Sequence, residues 1–347
     1  MARAVRTRRT RLHGIHEALG ATFTIDNGWE VPLRYAPGDG ELEALRGSAG
    51  ILDLSHLGTF KAQGPVAGAS LDAAITGTDS DAPASAGPVS SLPVGRALRA
   101  RLAVDAAPAT IYRLGDEEFL VVTSAADHRG TIGPARGARS RRESIVDATE
   151  SIALIAVVGP RAEEIMRGVV ESGAGMPAAL LPEDKARSGE DCGPDVLCGP
   201  GLLRRLRHGA AVRATACGHT VILARERMGD ADCLAVFCGA EDAVDLWEMI
   251  AERASSLASG TGPADATPVL TACGLAAWNA LAPVARQWAR APPGLPTASL
   301  SSGAISSERC VLPAPVSAGG TGRRRYWSSR VSSARARSKA PRATAWE

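Results

Sequence analysis

One strand-to-helix pattern occurs twice in this 347-residue sequence. The segments FKAQGPVAGASL and IAVVGPRAEEIM both combine an apolar strand, a Gly-Pro pair and a helix, with the prolines at residues 65 and 160. Proline suits the first helical position because its φ is already helical and its missing N–H would have no partner there. Two copies of one such unit predict a duplicated α+β domain.

Other segments fit the same fold class. ATIYRLGDEEFLVVTSA predicts a β-hairpin, the apolar run Ile152 to Val158 predicts a buried strand, and EDAVDLWEMIAERA predicts an amphipathic helix. TVILARERMGDADCLAVF predicts two strands joined by a turn near Gly229 to Asp232. Residues 51–63 are predicted to be extended, and residues 174–208 lack a pattern and predict a long loop.

The segment DNGWEVP predicts a tight turn that leads into a stiff, extended stretch. Asn27-Gly28 tolerates positive φ at both positions, as hairpin turns require. Pro32 favours an extended conformation at Val31. Trp29, held between the turn and the proline, is predicted to be a buried aromatic plug rather than a wall of a ligand pocket.

Composition excludes several classes of protein. Hydrophobic residues make up 45% of the chain and charged residues 22%, which is ordinary for a globular protein. No stretch approaches the ~18 apolar residues of a membrane helix. The basic start MARAVRTRRTR is not followed by the apolar region of a secretory signal. A cytoplasmic protein without a membrane partner is therefore predicted.

The cysteines and histidines do not predict a metal site. The seven cysteines form an odd set without a C-x-x-C pair, which argues against a disulfide framework and against zinc. His13 and His16 are three residues apart on a predicted first helix, on which Leu12 and Leu19 share one face. No further ligand lies at a suitable spacing, so we expect surface histidines.

The end of the chain differs from the rest. Residues 291–347 are rich in Ser, Pro, Ala and Arg, carry nine Lys and Arg against two acidic residues, and predict disorder. Such a charge split can mark a nucleic-acid arm. The abrupt change after a helix, and 36 Arg against 3 Lys in the whole chain, favour a shifted reading frame in GC-rich coding instead. No nucleic-acid partner is predicted.

Phosphate-loop, G-x-S-x-G and H-E-x-x-H motifs are absent from the sequence. The segments GWEVPLRY, ALRGSAGILDLSHLG, YRLGDEEFLVVTSA, ALIAVVGPRA, RMGDAD and CGLAAWNAL, however, occur in that order. This order resembles the folate-binding domain of the glycine cleavage T-protein (aminomethyltransferase) family over about residues 11–285. GWEVPLRY followed by AGILDLSH carries the most specific part of the resemblance.

The resemblance implies a fold, a substrate and a partner. Family members transfer an aminomethyl carbon to tetrahydrofolate with release of ammonia, receive it from a lipoyl carrier protein, and continue into a C-terminal β-barrel. We therefore expect a basic N-terminal extension over residues 1–10, a duplicated α+β folate-binding domain over residues 11–290, and a disordered or aberrant tail over residues 291–347 in place of the barrel.

The resemblance also implies three folate-binding residues. Leu57 falls where the family's D-x-S-H-M motif places a methionine against the folate, and Ser124 falls on the asparagine of V-S-N-A. Asp230 falls on the glutamate of T-G-E, which binds the pterin. A carboxylate can accept the adjacent donors of an amino-pyrimidine edge in a bidentate manner. Without the family context, Asp230 is equally typical of a turn.

Two departures from the family bear on catalysis. The family's carboxylates in G-G-I-x-D-D align with Ala107 and Pro108. Asp105 is the nearest carboxylate and the catalytic candidate, but two residues along a strand displace it by ~7 Å, beyond hydrogen-bond reach. Trp278 stands where the family carries an arginine near the folate tail.

The resemblance and its departures from the family lead to three alternative hypotheses about function. The first is a tetrahydrofolate-binding protein that transfers a one-carbon group. The second is a non-catalytic folate-binding accessory protein of the iron–sulfur maturation type, although the K-G-C-Y-x-G-Q motif of those relatives is absent. The third is a degenerate or frameshifted product, which the other reading frames of the coding DNA downstream of Ala291 would reveal.

Overall fold

The structure is a computed structural model. It describes residues 7–78, 87–102, 107–124, 144–174, 196–228, 230–258 and 269–281, and the statements below concern these residues. The predicted tail over residues 291–347 and the candidate Asp105 lie outside them. None of the described helices is long and apolar enough to cross a membrane.

The described residues form seventeen strands and seven α-helices. The strands are β1 (Arg8–Arg9), β2 (Thr22–Asp26), β3 (Trp29–Arg34), β4 (Gly50–Asp53), β5 (Gly58–Gln63), β6 (Ile75–Thr78), β7 (Ala97–Leu102), β8 (Ala107–Gly115), β9 (Glu118–Thr123), β10 (Ser144–Asp147), β11 (Ile152–Val158), β12 (Val170–Ala174), β13 (Val196–Cys198), β14 (Ala210–Ala216), β15 (His219–Met228), β16 (Ala231–Gly239) and β17 (Thr271–Ala272). The α-helices are α1 (His13–Ala18), α2 (Gly40–Gly47), α3 (Ala67–Ala74), α4 (Ala162–Met166), α5 (Gly199–Arg205), α6 (Ala243–Ala258) and α7 (Leu275–Leu281).

The strands form three sheets. A small sheet has the order β1-β3-β2, a six-stranded sheet has the order β10-β5-β9-β8-β7-β6, and an eight-stranded sheet has the order β13-β12-β14-β15-β16-β11-β4-β17. Both large sheets are antiparallel except where β17 pairs with β4. The predicted α+β class is confirmed.

The two large sheets pack face to face, with helices on their outer faces. One apolar cluster joins α4, α5 and α6 to the outer face of the eight-stranded sheet. A second fills the space between the two large sheets, and a third packs α3 on the outer face of the six-stranded sheet. Alternation along each strand places one set of side chains in each layer. The central cluster, named here the intersheet core, positions the candidate site.

The repeated Gly-Pro pattern forms the same strand–turn–helix unit in both large sheets. Gly64 follows β5 with φ +117°, and Gly159 follows β11 with φ +126°. The carbonyl of each glycine accepts a hydrogen bond of 3.0 Å from the first residue of the following helix. Because each glycine makes a turn, Pro65 and Pro160 lie in that turn, just before the N-cap. The prediction that these prolines occupy the first helical position is wrong.

The turn before Trp29 forms as predicted. Asn27 (φ +47°) and Gly28 (φ +84°) connect β2 to β3, so both central residues have the positive φ of a type I′ hairpin. Trp29 is 3% exposed in the intersheet core, and the guanidinium of Arg8 stands 4.3 Å from the centre of its ring. Trp29 is therefore a buried plug.

Two local predictions need correction. The stretch predicted to be extended over residues 51–63 is broken into β4 and β5 by a turn, in which the amide of Leu57 donates to the carbonyl of Leu54 (3.0 Å). The long loop predicted over residues 174–208 includes β13 and α5 at its end. Leu202 and Leu203 of α5 are fully buried against the eight-stranded sheet, so tertiary packing forms a helix that the local pattern does not indicate.

A buried polar network fixes α1 to the end of β4. Asp53 accepts hydrogen bonds from the hydroxyl of Thr10 (2.6 Å) and the amide of Ser55 (3.0 Å), and Nε2 of His16 lies 3.0 Å from its carboxylate. Nδ1 of His16 lies 2.7 Å from the hydroxyl of Tyr35. Burial by itself raises the pKa of Asp53, but these partners outweigh burial and lower the pKa to about 2.

The prediction of surface histidines on α1 is wrong. His16 is fully buried in this network, and His13 is 7% exposed. The sequence indicates that His16 is buried, because it lies on the helical face that carries Leu12 and Leu19. Its partner Asp53 is 37 residues away in the chain, so local spacing does not reveal the network.

We predict that Asp53→Asn lowers the free energy of unfolding at pH 7 by about 2 kcal/mol. The pKa of Asp53 is lower in the folded chain than in the unfolded chain. Its stabilisation is therefore complete above about pH 4 and is lost as the pH falls towards about 2. Urea unfolding of wild type and variant over this range measures the effect, with the exposed Asp39→Asn as the charge control. Parallel pH profiles for wild type and Asp53→Asn would contradict this role.

Candidate functional site

Strand register brings several predicted positions to one edge of the six-stranded sheet. β5 and β8 flank β9, and both are in register with Thr123 at its end. Leu57, Ser124 and Pro108 come one residue further towards this edge and therefore lie side by side. Arg101 of β7 pairs with Pro108 and extends the row. We name these four residues, Leu57, Ser124, Pro108 and Arg101, the inner edge row.

The inner edge row faces the eight-stranded sheet. Leu57 belongs to the intersheet core, and Leu120 and Val122, which alternate with Ser124 on the same side of the chain, belong to it too. Leu57 and Ser124 are each 1% exposed, whereas Pro108 is half-buried and Arg101 is exposed. The row thus passes from the buried interior to the surface.

The β15–β16 hairpin turns at the same end of the intersheet core. Arg96, just before β7, forms a β-bridge to Ala210 of β14. Ala210 in turn pairs with Arg225 of β15. Further along β7, Arg99 donates to the carboxylate of Glu226 (2.9 Å) and to the next carbonyl of β15 (3.2 Å). β7 and β15 therefore advance in the same direction. The exposed turn residue Asp230 lies at the end where β7 reaches the inner edge row.

The structure thus places three of the four candidate residues. Leu57 and Ser124 are neighbours in the inner edge row, and Asp230 lies on the hairpin that turns at the same end. The fourth, Asp105, lies outside the described residues. The family resemblance predicts a carboxylate at the position of Pro108, but proline has none. The row itself therefore holds no group for general acid–base chemistry. Trp278 of α7 is fully buried in the intersheet core.

A buried charged group behind the row was missed by sequence reasoning. Glu226 of β15 is 2% exposed and pairs with Arg99 across the two sheets. Burial raises the pKa of Glu226, while Arg99 opposes that shift. Burial and the nearby Glu226 charge raise the pKa of Tyr112 well above its ordinary value, so the phenol stays protonated. The sequence does indicate this buried carboxylate, because Glu226 interrupts the apolar alternation of β15.

A third buried histidine, His56, lies close to the row. His56, in the turn before Leu57, is 1% exposed, and its Nε2 lies 3.4 Å from the carboxylate of Asp26. Burial lowers the pKa of His56 and raises that of Asp26. The pair joins the β2–β3 hairpin to the turn. Within the described part of the chain, no three His, Cys, Asp or Glu side chains are grouped as metal ligands.

Comparisons with known proteins show which family this chain resembles. The family model of the GCVT N-terminal domain matches residues 12–182. The aminomethyltransferase of Saccharopolyspora erythraea is 32% identical over 250 residues, which cover 71% of this chain and 58% of that protein. That of Cutibacterium acnes is 29% identical over 279 residues, which cover 79% of this chain and 64% of that protein.

A solved structure shows the same fold. The glycine cleavage system aminomethyltransferase T from Bartonella henselae superposes with a TM-score of 0.56 at 19% identity, over 79% of this chain and 61% of that one. The chain thus spans about three fifths of the length of the relatives it matches. Residues 12–182 therefore carry a GCVT N-terminal domain, and the chain is similar to aminomethyltransferases of the glycine cleavage T-protein type.

Proposed function

We propose that this chain binds tetrahydrofolate as a substrate, at the end of the intersheet core where the inner edge row meets the β15–β16 hairpin. The observation that carries this proposal is the convergence of family-matched positions. Leu57, Ser124 and Pro108 lie side by side at the ends of three neighbouring strands, and Asp230 lies at the same end. Register and chain direction, rather than sequence proximity, bring them together.

Each residue of this site has a distinct task in the proposed complex. Leu57 gives an apolar wall for the flat pterin, and the hydroxyl of Ser124 supplies a hydrogen-bonding group at its edge. The Asp230 carboxylate accepts the paired donors of the amino-pyrimidine edge. Arg101 brings a guanidinium to the exposed end of the row, where the glutamyl carboxylates of the folate leave the site. This guanidinium supplies the positive charge that Trp278, at the position of the family's arginine, cannot provide.

The proposed reaction is transfer of an aminomethyl carbon to tetrahydrofolate with release of ammonia. The transfer requires a group that orients the folate amines and moves a proton. Pro108 has no such group, and loss of a general acid–base residue typically slows a reaction by about 10²–10⁴-fold. We therefore propose that folate binding is retained and that transfer is slow.

Pro108 also favours a second function, that of a non-catalytic folate-binding protein. The two functions differ only in whether the bound folate accepts a carbon. The lipoyl carrier partner, the cytoplasmic location and the frameshifted tail predicted above stay predictions.

We predict that tetrahydrofolate quenches tryptophan fluorescence of the full chain and that Asp230→Ala weakens binding by about 1.5–3 kcal/mol. This is the range for a hydrogen bond to a charged group. The fold is expected to be retained, because an exposed turn position tolerates alanine. Isothermal titration calorimetry of wild type and variant measures the difference.

Asp116→Ala is the matched control, because Asp116 is an exposed turn aspartate at the opposite end of β8 and β9. Asp105→Ala is expected to have a smaller effect than Asp230→Ala. No binding by wild type at about 1 mM folate, the upper end of ordinary KM values, would contradict the proposed function. Equal folate affinities for wild type and Asp230→Ala would show that Asp230 is only a turn residue and does not bind folate.

We predict that Pro108→Asp increases the rate of aminomethyl transfer to tetrahydrofolate by about 10²-fold or more, because it returns a carboxylate to the inner edge row. Pro108→Asn is the control, since its amide has a similar size but cannot take up the proton. Single-turnover formation of the methylene-folate product measures the rate, and circular dichroism checks the fold. Equal rates for the two variants would favour the non-catalytic function.

A further inference from the structure

A cationic cavity lies at the opposite end of β7 from the inner edge row. Its volume is about 690 Å³, within the range of small-molecule sites. It lies where the six-stranded sheet is bridged to the eight-stranded sheet. The lining residues are Pro93, Arg96, Arg204, Leu206, Arg207, His208 and Arg225.

The walls of this cavity are fixed by hydrogen bonds. The amide of Ala97 donates to the carbonyl of Gly209, and the amide of Ala211 donates to the carbonyl of Gly95, each over 2.9 Å. Nη1 of Arg225 donates to a carbonyl of α5 (3.0 Å). The segment before β7 is thereby held against the start of β14, and the end of α5 is held against β15. The lining side chains therefore project from rigid backbone.

The charges of the lining residues are unequally neutralised. Arg225 donates to the carboxylates of Asp232 (2.5 Å) and Glu163 (3.0 Å), so its charge is balanced. Arg204 and Arg207, both exposed, and the half-buried Arg96 make no side-chain hydrogen bond or ion pair within the described ranges. His208 stands beside them, 3.7 Å from Asp232. Three guanidinium groups thus share one cavity without a described counter-charge.

We propose that this cavity binds a small polyvalent oxyanion, carrying phosphate or carboxylate groups. Guanidinium groups recognise both kinds of oxyanion through paired N–H donors. Three of them around one cavity repel each other, and a ligand with two or more negative charges relieves that repulsion. The cationic groups surround one cavity and do not form a long stripe, which favours a small anion over a nucleic acid.

Calorimetric titration of the full chain with sodium pyrophosphate, and separately with trisodium citrate, tests this proposal in low-salt buffer without folate. We expect at least one of the anions to bind, and the tighter of the two identifies the phosphate or carboxylate class. The double variant Arg204→Gln/Arg207→Gln is expected to lower its affinity at least 10-fold. Both side chains are exposed, so an unchanged melting temperature is expected.

Arg34→Gln/Arg46→Gln is the matched control, because it removes the same charge from two exposed arginines outside the cavity. If this control variant binds the anion as tightly as wild type does, the result supports the cavity as the binding site. Failure of both anions to bind, or equal loss in the two double variants, overturns the proposal. Binding of duplex DNA without either small anion also overturns it. Since no folate is present, the result is independent of the proposed function.

Discussion

The apolar layer between the two large sheets is the interaction on which the rest of the structure depends. It is formed by one face of each sheet, and its side chains come from strands far apart in the chain. Burial of this layer fixes which residues of β5, β9 and β8 face the eight-stranded sheet, because a one-residue slip would move every side chain of a strand to the opposite face of its sheet. The inner edge row is the end of that layer.

The pair of Arg99 and Glu226 restricts this layer further. A carboxylate buried without a partner is strongly destabilising, whereas a paired one adds little net stability. A displacement of β7 relative to β15 would separate the two charges. The pair therefore favours one alignment of the sheets, and this alignment brings the hairpin of Asp230 to the end of the sheets that carries Leu57 and Ser124. The fold thus brings the candidate residues to one end of the intersheet core.

The sequence predicts the parts of this structure that depend on local patterns. The Asn27-Gly28 turn, the buried strand over residues 152–158 and the β15–β16 hairpin form as expected because turn chemistry and side-chain alternation determine them. The burial of His16 was not predicted, because its partner Asp53 is distant in the sequence. The resemblance gave candidate folate residues, but strand register was needed to show that Leu57 and Ser124 are neighbours. The cationic cavity draws on three separate segments and has no sequence motif.

The proposed function depends on the binding of folate at the inner edge row. Hydrogen–deuterium exchange of the full chain, with and without tetrahydrofolate, tests the location most directly. We expect slower exchange in residues 54–58, 107–110 and 122–124 and in the β15–β16 turn, with unchanged exchange around the cationic cavity at residues 204–211. Protection confined to that cavity, or no protection at saturating folate, would contradict this proposal.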